Sequence, residues 1–357
     1  SYIPLVATSP VANNIPIATN CRYGINVNYS SEASWVPIFG AGHYINFSAT
    51  SIGESIPETI ELIHQVRLQQ IKQDGVYLPE IIITPPLTME EEGLGPLVLA
   101  NPGRIWLVGN EPDVSHDSQD NMMPSTYAWA YRSVYNFIKG LDPTAQVANG
   151  GLSMMTPGRR QYLNIVWNTY LNTFGEEMPV DIWNMHLYIL SEIRPWDGGD
   201  SDGKIAVGTN PALAIKAPHG PPETECPRDD VYCRAEHDNN DIFREQVFMM
   251  RNWMKNHGQE DKPLIVSEFS QLYPFVDYDD PVNPTICYLR DEFGQCFTPN
   301  RVSSFLQESM EFMETAKDPD LGYPGDDYRL VQQWAWFSTW AEQESTGASS
   351  NLLVDNH

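Results

Sequence analysis

Apolar residues follow two different periods along the chain, and the two periods alternate from about residue 21 onward. Short apolar runs predict buried strands, whereas longer segments with apolar residues three or four positions apart predict helices. The predicted strands cover residues 23–28, 42–47, 81–84, 104–108, 145–152, 180–190, 263–267 and 330–340. The predicted helices cover residues 56–74, 97–101, 125–138, 158–174, 241–257 and 301–316.

The alternation of strand and helix predicts the α/β class with a parallel sheet. About eight such units in 357 residues predict one (β/α)8 TIM barrel over residues 21–357, preceded by an N-terminal arm over residues 1–20. Two connections, at about residues 191–240 and 270–300, are too long for simple turns. They follow the sixth and seventh strands at the face where barrels build active sites, so these extended βα loops are expected to wall a binding cleft.

The charge of the chain narrows its partners. Asp and Glu number 47 against 21 Lys and Arg, which gives a formal net charge of −26. That field repels phosphate backbones and anionic lipid, so neither nucleic acid nor a membrane is an expected partner. A neutral substrate fits the charge better. The sequence carries no P-loop, dinucleotide fingerprint or G-x-S-x-G motif, and no cofactor is predicted.

Cysteine placement indicates an oxidising compartment. Two close pairs, Cys226–Cys233 and Cys287–Cys296, lie in loop-like segments and are predicted to form short-range disulfides. Crossed pairing between the two loops and reduced thiols remain open. The chain begins at Ser1 without a leader, which we interpret as the mature form of a secreted protein. Asn28 and Asn46 lie in N-x-[ST] sequons and are possible N-glycan sites.

Two glutamates stand at the ends of apolar strands. Asn110 and Glu111 end the run Ile-Trp-Leu-Val-Gly, and Glu268 ends the run Pro-Leu-Ile-Val-Ser three strands later. Glycoside cleavage needs one carboxylic acid to protonate the leaving oxygen and a second carboxylate to meet the oxocarbenium-like carbon. Because strands four and seven lie on opposite sides of a barrel mouth, a sugar fits between these two side chains. A separation of about 5–5.5 Å would mean retention of configuration.

Two further strands offer substrate-binding side chains. The two-residue period places Asn184, His186 and Tyr188 on one face of strand six. There, Tyr188 is expected to orient Glu268, and His186 to bind substrate or Glu111. On strand eight, Trp334 and Trp336 share a face and are expected either to floor a sugar subsite or to fill the core.

These residues resemble the clan A glycoside hydrolases, which are (β/α)8 enzymes with catalytic glutamates on strands four and seven. The resemblance covers about residues 22–338. It implies that Glu111 is the acid/base, that Glu268 is the nucleophile and that Asn110 binds the hydroxyl beside the anomeric carbon. Within the clan, Asn-Glu-Pro-Asp, His-x-Tyr and Ser-Glu-Phe are similar to the group that includes endo-β-1,3-glucanases. Arg22 is the candidate for the basic residue that many members keep near the nucleophile.

The sequence therefore predicts a retaining glycoside hydrolase acting on a neutral glycan, with β-glucan as the best candidate. A transglycosylase on the same glycans, a non-catalytic carbohydrate-binding barrel and a lyase or aldolase are the alternatives. The segment His237–Asp241 is interpreted as a helix start with Asp241 as its N-cap, rather than as a metal cluster. The acidic loops 277–280 and 318–327 are interpreted as solvated. No metal site is predicted.

Overall fold

The computed structural model describes residues 20–53, 56–192, 205–214, 232–273, 290–342 and 345–353. The strands in this part of the chain are β1 (Asn20–Asn26), β2 (Ala41–Ile45), β3 (Glu61–Leu62), β4 (His64–Gln73), β5 (Val76–Thr84), β6 (Ile105–Val108), β7 (Gln146–Asn149), β8 (Trp183–Leu187), β9 (Leu264–Phe269) and β10 (Gln333–Trp336). The α-helices are α1 (Leu94–Ala100), α2 (Pro124–Leu141), α3 (Pro157–Phe174), α4 (Asn240–Asn256) and α5 (Pro299–Thr315).

The strands form two sheets, in the orders β3-β2-β1-β10-β9-β8 and β5-β4-β6-β7. Every pairing is parallel except that of β4 with β5. Only Ile63 separates β3 from β4, and a parallel bridge between Ala148 and Ile182 links the other ends of the two sheets. The predicted α/β class and its parallel strand arrangement are therefore confirmed.

The strands β6, β7, β8, β9 and β10 are buried on both faces over most of their length, whereas β5 is largely exposed. One face gathers aliphatic residues from both sheets into one inner cluster: Ile45, Ile63, Ile105, Leu107, Ala148, Ile182, Ile265 and Ala335. The alternate residues of the same strands, among them Trp106 and Trp183, pack against the helices in a larger outer cluster. Because successive side chains of a strand point to opposite faces, strand position decides which cluster a residue joins.

The helix predicted over residues 56–74 is wrong. That segment holds β3 and β4, and β4 turns back through Asp74 and Gly75 into β5, with Gln73 paired to Val76. Asp74 has φ 50° and Gly75 has φ 78°. An Asp-Gly pair with both φ angles positive forms the two-residue turn that matches the twist of a hairpin. The apolar residues of this segment satisfied a helical period by coincidence, and the Asp-Gly signal should have outweighed it.

The other predicted elements are present with shifted ends. Helices α2, α3, α4 and α5 match the predicted segments to within a few residues. Five strands end earlier than predicted, at Asn26, Ile45, Asn149, Leu187 and Trp336. Beyond those points the backbone leaves the sheet, and the side chains that follow can therefore line a site. No helix of the described chain combines the length and apolar character that a membrane crossing needs.

The two long connections are only partly described. Between β8 and α4 the described residues hold two short 3-10 helices, Pro211–Leu213 and Arg234–Glu236. Cys21 is a free, exposed thiol, and Cys233 and Cys296 each have a partner. Their predicted partners Cys226 and Cys287 lie outside the described residues, as do the arm up to residue 19 and the acidic loop 277–280. The arm, the loop boundaries and both disulfide pairings stay predictions.

Two glycines give the hairpin turn a matched test. A Cβ built on Gly75 or on Gly140 meets no atom within 4 Å, so neither substitution is opposed by a clash. Gly75 has a left-handed backbone, whereas Gly140 lies in α2. We expect Gly75→Ala to lower the free energy of unfolding by about 1 kcal/mol and Gly140→Ala to raise it by about 0.5–1 kcal/mol. Urea unfolding of both variants measures this, and a Gly75→Ala protein as stable as wild type would contradict the assigned turn.

Candidate active site

Glu111 lies three residues beyond Val108, the carboxyl end of β6. Its backbone has φ 43°, a left-handed conformation that is uncommon for a residue with a Cβ. Pro112 follows it and would favour an extended backbone at this position. The Glu111 N–H donates to the Gly151 carbonyl at 3.1 Å, and the Asn110 N–H donates to Asp120 Oδ2 at 2.8 Å. The surrounding contacts thus hold Glu111 in a conformation that its own sequence disfavours.

Glu268 lies in β9 and contacts two side chains, His186 in β8 and Tyr188 directly after β8. The Tyr188 hydroxyl donates to Glu268 Oε2 at 2.8 Å, and His186 Nε2 lies 3.2 Å from Glu268 Oε1. The other ring nitrogen of His186, Nδ1, lies 2.9 Å from Glu111 Oε1. Glu111, Glu268 and His186 are 7%, 6% and 1% exposed. The imidazole therefore bridges two nearly buried carboxyl groups. The contacts of Tyr188 with Glu268 and of His186 with Glu111 agree with the expectation from the sequence, whereas the contact of His186 with Glu268 was not expected.

This bridge defines how protons are shared. A neutral imidazole has one N–H donor and one acceptor nitrogen. If Nε2–H donates to Glu268, that carboxylate accepts two hydrogen bonds, from His186 and Tyr188, and both favour its ionised form. Nδ1 is then the acceptor nitrogen, and it faces Glu111 Oε1. The geometry thus supports one protonated and one ionised carboxyl group in this set.

Burial dominates the titration of the site. It raises the pKa of Glu268 to about 7; Glu111 adds to this rise, while His186, the Tyr188 hydrogen bond and Arg67 lower the value. Burial by itself lowers the pKa of His186, but Glu268 and Glu111, with a smaller contribution from Asp113, outweigh it and leave that pKa raised. Because the groups titrate together, the proton belongs to the set and moves within it.

The carboxyl separation bears on the chemistry. One oxygen of Glu111, one oxygen of Glu268 and a His186 nitrogen all lie within 4.8 Å of one another. That spacing is nearer to the roughly 5–5.5 Å of retaining glycosidases than to the 6.5–9.5 Å of inverting ones. The three groups are also close enough to hold a metal ion. However, the two His186 nitrogens face different carboxylates, and a single ion contacts only one ring nitrogen, so the arrangement fits a hydrogen-bonded relay better.

The two predicted asparagines lie beside the pair and are held by amides. Asn110 Oδ1 accepts from Gln65 Nε2 at 2.8 Å, and Asn110 Nδ2 donates to Gln119 at 2.6 Å. Each end of the Asn110 amide keeps one further hydrogen-bonding position. Asn184 is tied to Asn149 on β7 through its backbone N–H and its Nδ2, at 2.8 and 3.3 Å.

The structure places both predicted tryptophans away from the site. Trp334 and Trp336 are 1% exposed and belong to the outer cluster, on the opposite face from Ala335. Trp336 packs edge-on against Phe269 and donates its indole N–H to the Ser350 carbonyl at 2.8 Å. The shared face was predicted correctly, but it is the face packed against the helices, so these side chains fill the core and floor no subsite.

An aromatic pair that sequence reasoning missed lies just beyond the strand ends. Phe337 follows β10 on the side of Ala335, is partly exposed, and lies 6.1 Å from the Phe47 ring. The two-residue period counted from Ala335 instead of Trp336 would have found Phe337.

Arg22 is not near the glutamates. It lies near the start of β1, the opposite end of the strands, where it pairs with Asp326 at 2.5 Å. The cation that acts on Glu268 is Arg67 of β4, which donates to Asp120 Oδ1 at 2.7 Å. Sequence reasoning missed Arg67 because its segment, residues 56–74, was predicted to be a helix.

The segment His237–Asp241 leads into α4 as predicted, but the N-cap is Asn239, and the predicted cap Asp241 is the second residue of the helix. The Asn239 side chain caps the helix by accepting from the N–H groups of Asp241 and Ile242. His237 Nδ1 lies 2.6 Å from the Ile189 carbonyl, and its Nε2 accepts from the Leu272 N–H at 2.8 Å. Burial lowers the pKa of His237 to about 4, so this neutral ring ties the connections that follow β8 and β9.

Comparison with known proteins yields matches among solved structures alone: no family model and no curated protein matches the chain. A GH128 (subgroup VII) oligosaccharide-binding protein from Cryptococcus neoformans is 12% identical, with a TM-score of 0.50 over 96% of this chain and 91% of that one. A GH128 (subgroup I) endo-β-1,3-glucanase from Amycolatopsis mediterranei is 13% identical, with a TM-score of 0.48 over 93% and 98%. The likeness to the Cryptococcus protein is one of fold, and it confirms at that level the resemblance found in the sequence.

The raised pKa of Glu268 predicts a pH-dependent stability difference. The pKa of about 7 in the folded protein exceeds the roughly 4.3 of an unfolded chain. The stabilisation that this proton supplies is therefore present in full at acid pH and is lost as the pH rises through about 7. Glu268→Gln, which cannot ionise, should be more stable than wild type by about 1–3 kcal/mol at pH 8 and by much less at pH 5.

Urea unfolding at the two pH values measures the difference. Glu90→Gln makes the same substitution at an exposed carboxylate and serves as the control for the loss of one negative charge. A Glu268→Gln protein whose advantage is the same at pH 5 and pH 8 would show that Glu268 titrates normally.

Proposed function

We propose that the protein is a retaining glycoside hydrolase that cleaves β-glycosidic bonds in a neutral glycan. The observation that carries the proposal is the arrangement of Glu111, His186 and Glu268, with two nearly buried carboxyl groups within 4.8 Å and one imidazole between them. Such a pair separates into one protonated acid and one carboxylate, which are the two roles that glycoside cleavage needs.

We infer that the parallel strands form the (β/α)8 barrel expected from the sequence. The contiguity of β3 with β4 and the Ala148–Ile182 bridge join the two sheets at both ends. The inner cluster, with residues from both sheets, has the character of a barrel interior. Both glutamates lie at or near the carboxyl ends of their strands, where barrel enzymes place catalytic groups.

The first step makes a glycosyl-enzyme. Glu268 attacks the anomeric carbon while the bond from that carbon to the glycosidic oxygen breaks and Glu111 gives its proton to the departing oxygen. The hydrogen bond from Tyr188 holds Glu268 in place and favours its ionised form before attack.

The second step regenerates the enzyme. Glu111, now a carboxylate, takes a proton from a water molecule whose oxygen attacks the anomeric carbon, and the bond to Glu268 breaks. Two inversions at one carbon give net retention. His186 contacts both carboxyl groups and is placed to follow the proton between them as their charges change.

A neutral β-glucan is the substrate we favour. The net charge of −26 disfavours acidic glycans. Phe47 and Phe337, whose rings lie 6.1 Å apart beyond the carboxyl ends of β2 and β10, offer apolar surface for the C–H faces of sugars. The residue resemblance to the group that includes endo-β-1,3-glucanases points to the same class. An oligosaccharide-binding protein of the same fold makes non-catalytic glycan binding the second candidate, and transglycosylation uses the same residues.

We further propose a secreted protein, on the basis of the predicted disulfides.

The two possible glycosylation sites differ in their hydrogen bonds. The Asn28 side chain donates to Ser338 Oγ and to the Trp340 carbonyl, and Asn46 Nδ2 donates to the Thr50 carbonyl. A glycan at either nitrogen would compete with these bonds, so glycosylation fits Asn46, with one such bond, better than Asn28.

Substitution of the two glutamates tests the mechanism. Glu268→Ala and Glu111→Ala should each lower kcat on β-1,3-glucan by about 10³-fold or more, while Glu90→Ala leaves it unchanged. Azide should restore turnover of an activated β-glycoside to both variants. The product should be an α-glycosyl azide from Glu268→Ala and a β-glycosyl azide from Glu111→Ala, as read by proton NMR.

Two further measurements complete the test. The first compares hydrolysis rates on β-1,3-glucan, cellulose, mannan, galactan and xylan. The second identifies the anomer that wild type forms first. An inverted product would overturn the retaining mechanism. Tight glycan binding without turnover would show a binding protein instead of an enzyme.

A further inference from the structure

A buried cluster of charges lies next to Glu111 and takes no part in the mechanism above. Asp113, two residues after Glu111, and Glu192, which follows β8, both pair with Arg159 of α3. Arg159 Nη1 donates to Asp113 Oδ2 at 2.5 Å, and Arg159 Nε donates to Glu192 Oε1 at 2.8 Å. Asp113 and Glu192 are both 0% exposed, and Arg159 is 4% exposed. Burying three charges is expensive, so this cluster needs a reason beyond stability.

The cluster ties three active-site segments together. Ser153 and Thr156, from the connection between β7 and α3, donate to Asp113 Oδ2 at 3.3 Å and to Glu192 Oε1 at 2.8 Å. The Asp113 carbonyl accepts from the Val207 N–H at 2.9 Å and from Arg159 Nη1 at 3.3 Å. The segments that follow β6, β7 and β8 therefore converge on one guanidinium, whose planar fork can serve two carboxylates at once.

The strained residue of the site is the one that this cluster adjoins. Glu111 keeps a left-handed backbone directly before Pro112, and such strain persists only where surrounding contacts fix it. The chain beyond Pro112 is fixed at Asp113 by both its side chain and its carbonyl. We propose that Asp113, Arg159 and Glu192 are positioning residues that hold Glu111 in its reactive orientation and place a net negative charge beside the proton-sharing set. This inference rests on the proposed function for its catalytic part alone.

The electrostatic part of the inference has its own observable, the titration of His186. Three carboxyl groups act on His186: Glu268 from β9, and Glu111 and Asp113 from the segment after β6. The Tyr188 ring, beyond β8, packs edge-on against the imidazole. Arg67 of β4 acts on Glu268. A negative charge favours the imidazolium form, so removal of the Asp113 charge should lower the pKa of His186.

The experiment compares Asp113→Asn and Arg159→Lys with Val166→Ala in the full chain. Val166 is a fully buried residue of α3, the same helix as Arg159, so its truncation should lower Tm by several degrees without touching the cluster. We expect Asp113→Asn and Arg159→Lys to lower kcat on β-1,3-glucan about tenfold or more with KM changed by less than about threefold, and Val166→Ala to leave both near wild type.

The basic limb of the Asp113→Asn pH profile should move to lower pH. NMR titration of ¹⁵N-labelled histidine should show the His186 midpoint lowered by about half a unit or more in Asp113→Asn and unchanged in Val166→Ala. Arg159→Lys keeps the charge but not the fork, so its kinetic loss would separate geometry from charge.

Two outcomes would overturn the inference. One is that Asp113→Asn and Arg159→Lys have a lowered Tm, as Val166→Ala does, but have the same kcat and pH profile as Val166→Ala. The other is a His186 midpoint that does not move in Asp113→Asn. If Arg159→Lys fails to fold, Asp113→Asn still decides, because Asn fits the same space. If wild type hydrolyses no glycan, the proposed function fails separately, and the His186 titration, which needs no substrate, still decides the inference.

Discussion

Two carboxyl groups within 4.8 Å of each other, each less than a tenth exposed, cannot both be ionised unless something between them compensates the repulsion. His186 lies in that position, with one ring nitrogen toward each carboxyl group. A ring nitrogen can switch between donor and acceptor, so the same side chain can serve either distribution of the proton. The orientation of Glu111, the hydrogen bond from Tyr188 and the burial of the set all matter through their effect on this shared proton.

Charged residues around the set are arranged to support it. Arg67 and Asp120 fix the backbone of Asn110 on one side of Glu111, and Asp113, Arg159 and Glu192 fix the chain on the other. Burial raises the pKa of Asp120 to about 6, although Arg67 and two backbone N–H groups lower it. Such networks stabilise a fold little compared with apolar packing, but they allow few alternative geometries. Their position on both sides of a strained Glu111 fits a role in specifying one conformation.

What the sequence could predict followed from local patterns. A strand end placed Glu111 and Glu268, and a two-residue period placed His186 and Tyr188 on one face. The same period paired Trp334 with Trp336 correctly but could not choose the face, because indole rings suit a helix-facing core as well as a sugar subsite. The hairpin of β4 and β5 was missed because a helical period was preferred to the Asp-Gly turn, and Arg67 was missed with it. Contacts such as those of Asp113 with Arg159 join residues 46 positions apart, and no local pattern encodes them.

The site also explains why Glu268 is expected to reduce stability at neutral pH. Glu268 gains a proton more easily in the folded protein than in the unfolded chain, so its ionised form at neutral pH is held against a desolvation penalty. A carboxylate that is poorly solvated before reaction loses less by forming a bond to carbon, since the neutral ester has little charge to solvate. Tyr188 offsets part of the penalty with one hydrogen bond, and that bond is given up as the charge leaves Glu268 in the glycosyl-enzyme. Partial solvation of this kind leaves Glu268 both ionised and reactive. Full exposure would keep the carboxylate ionised but less reactive, and complete burial would keep it protonated.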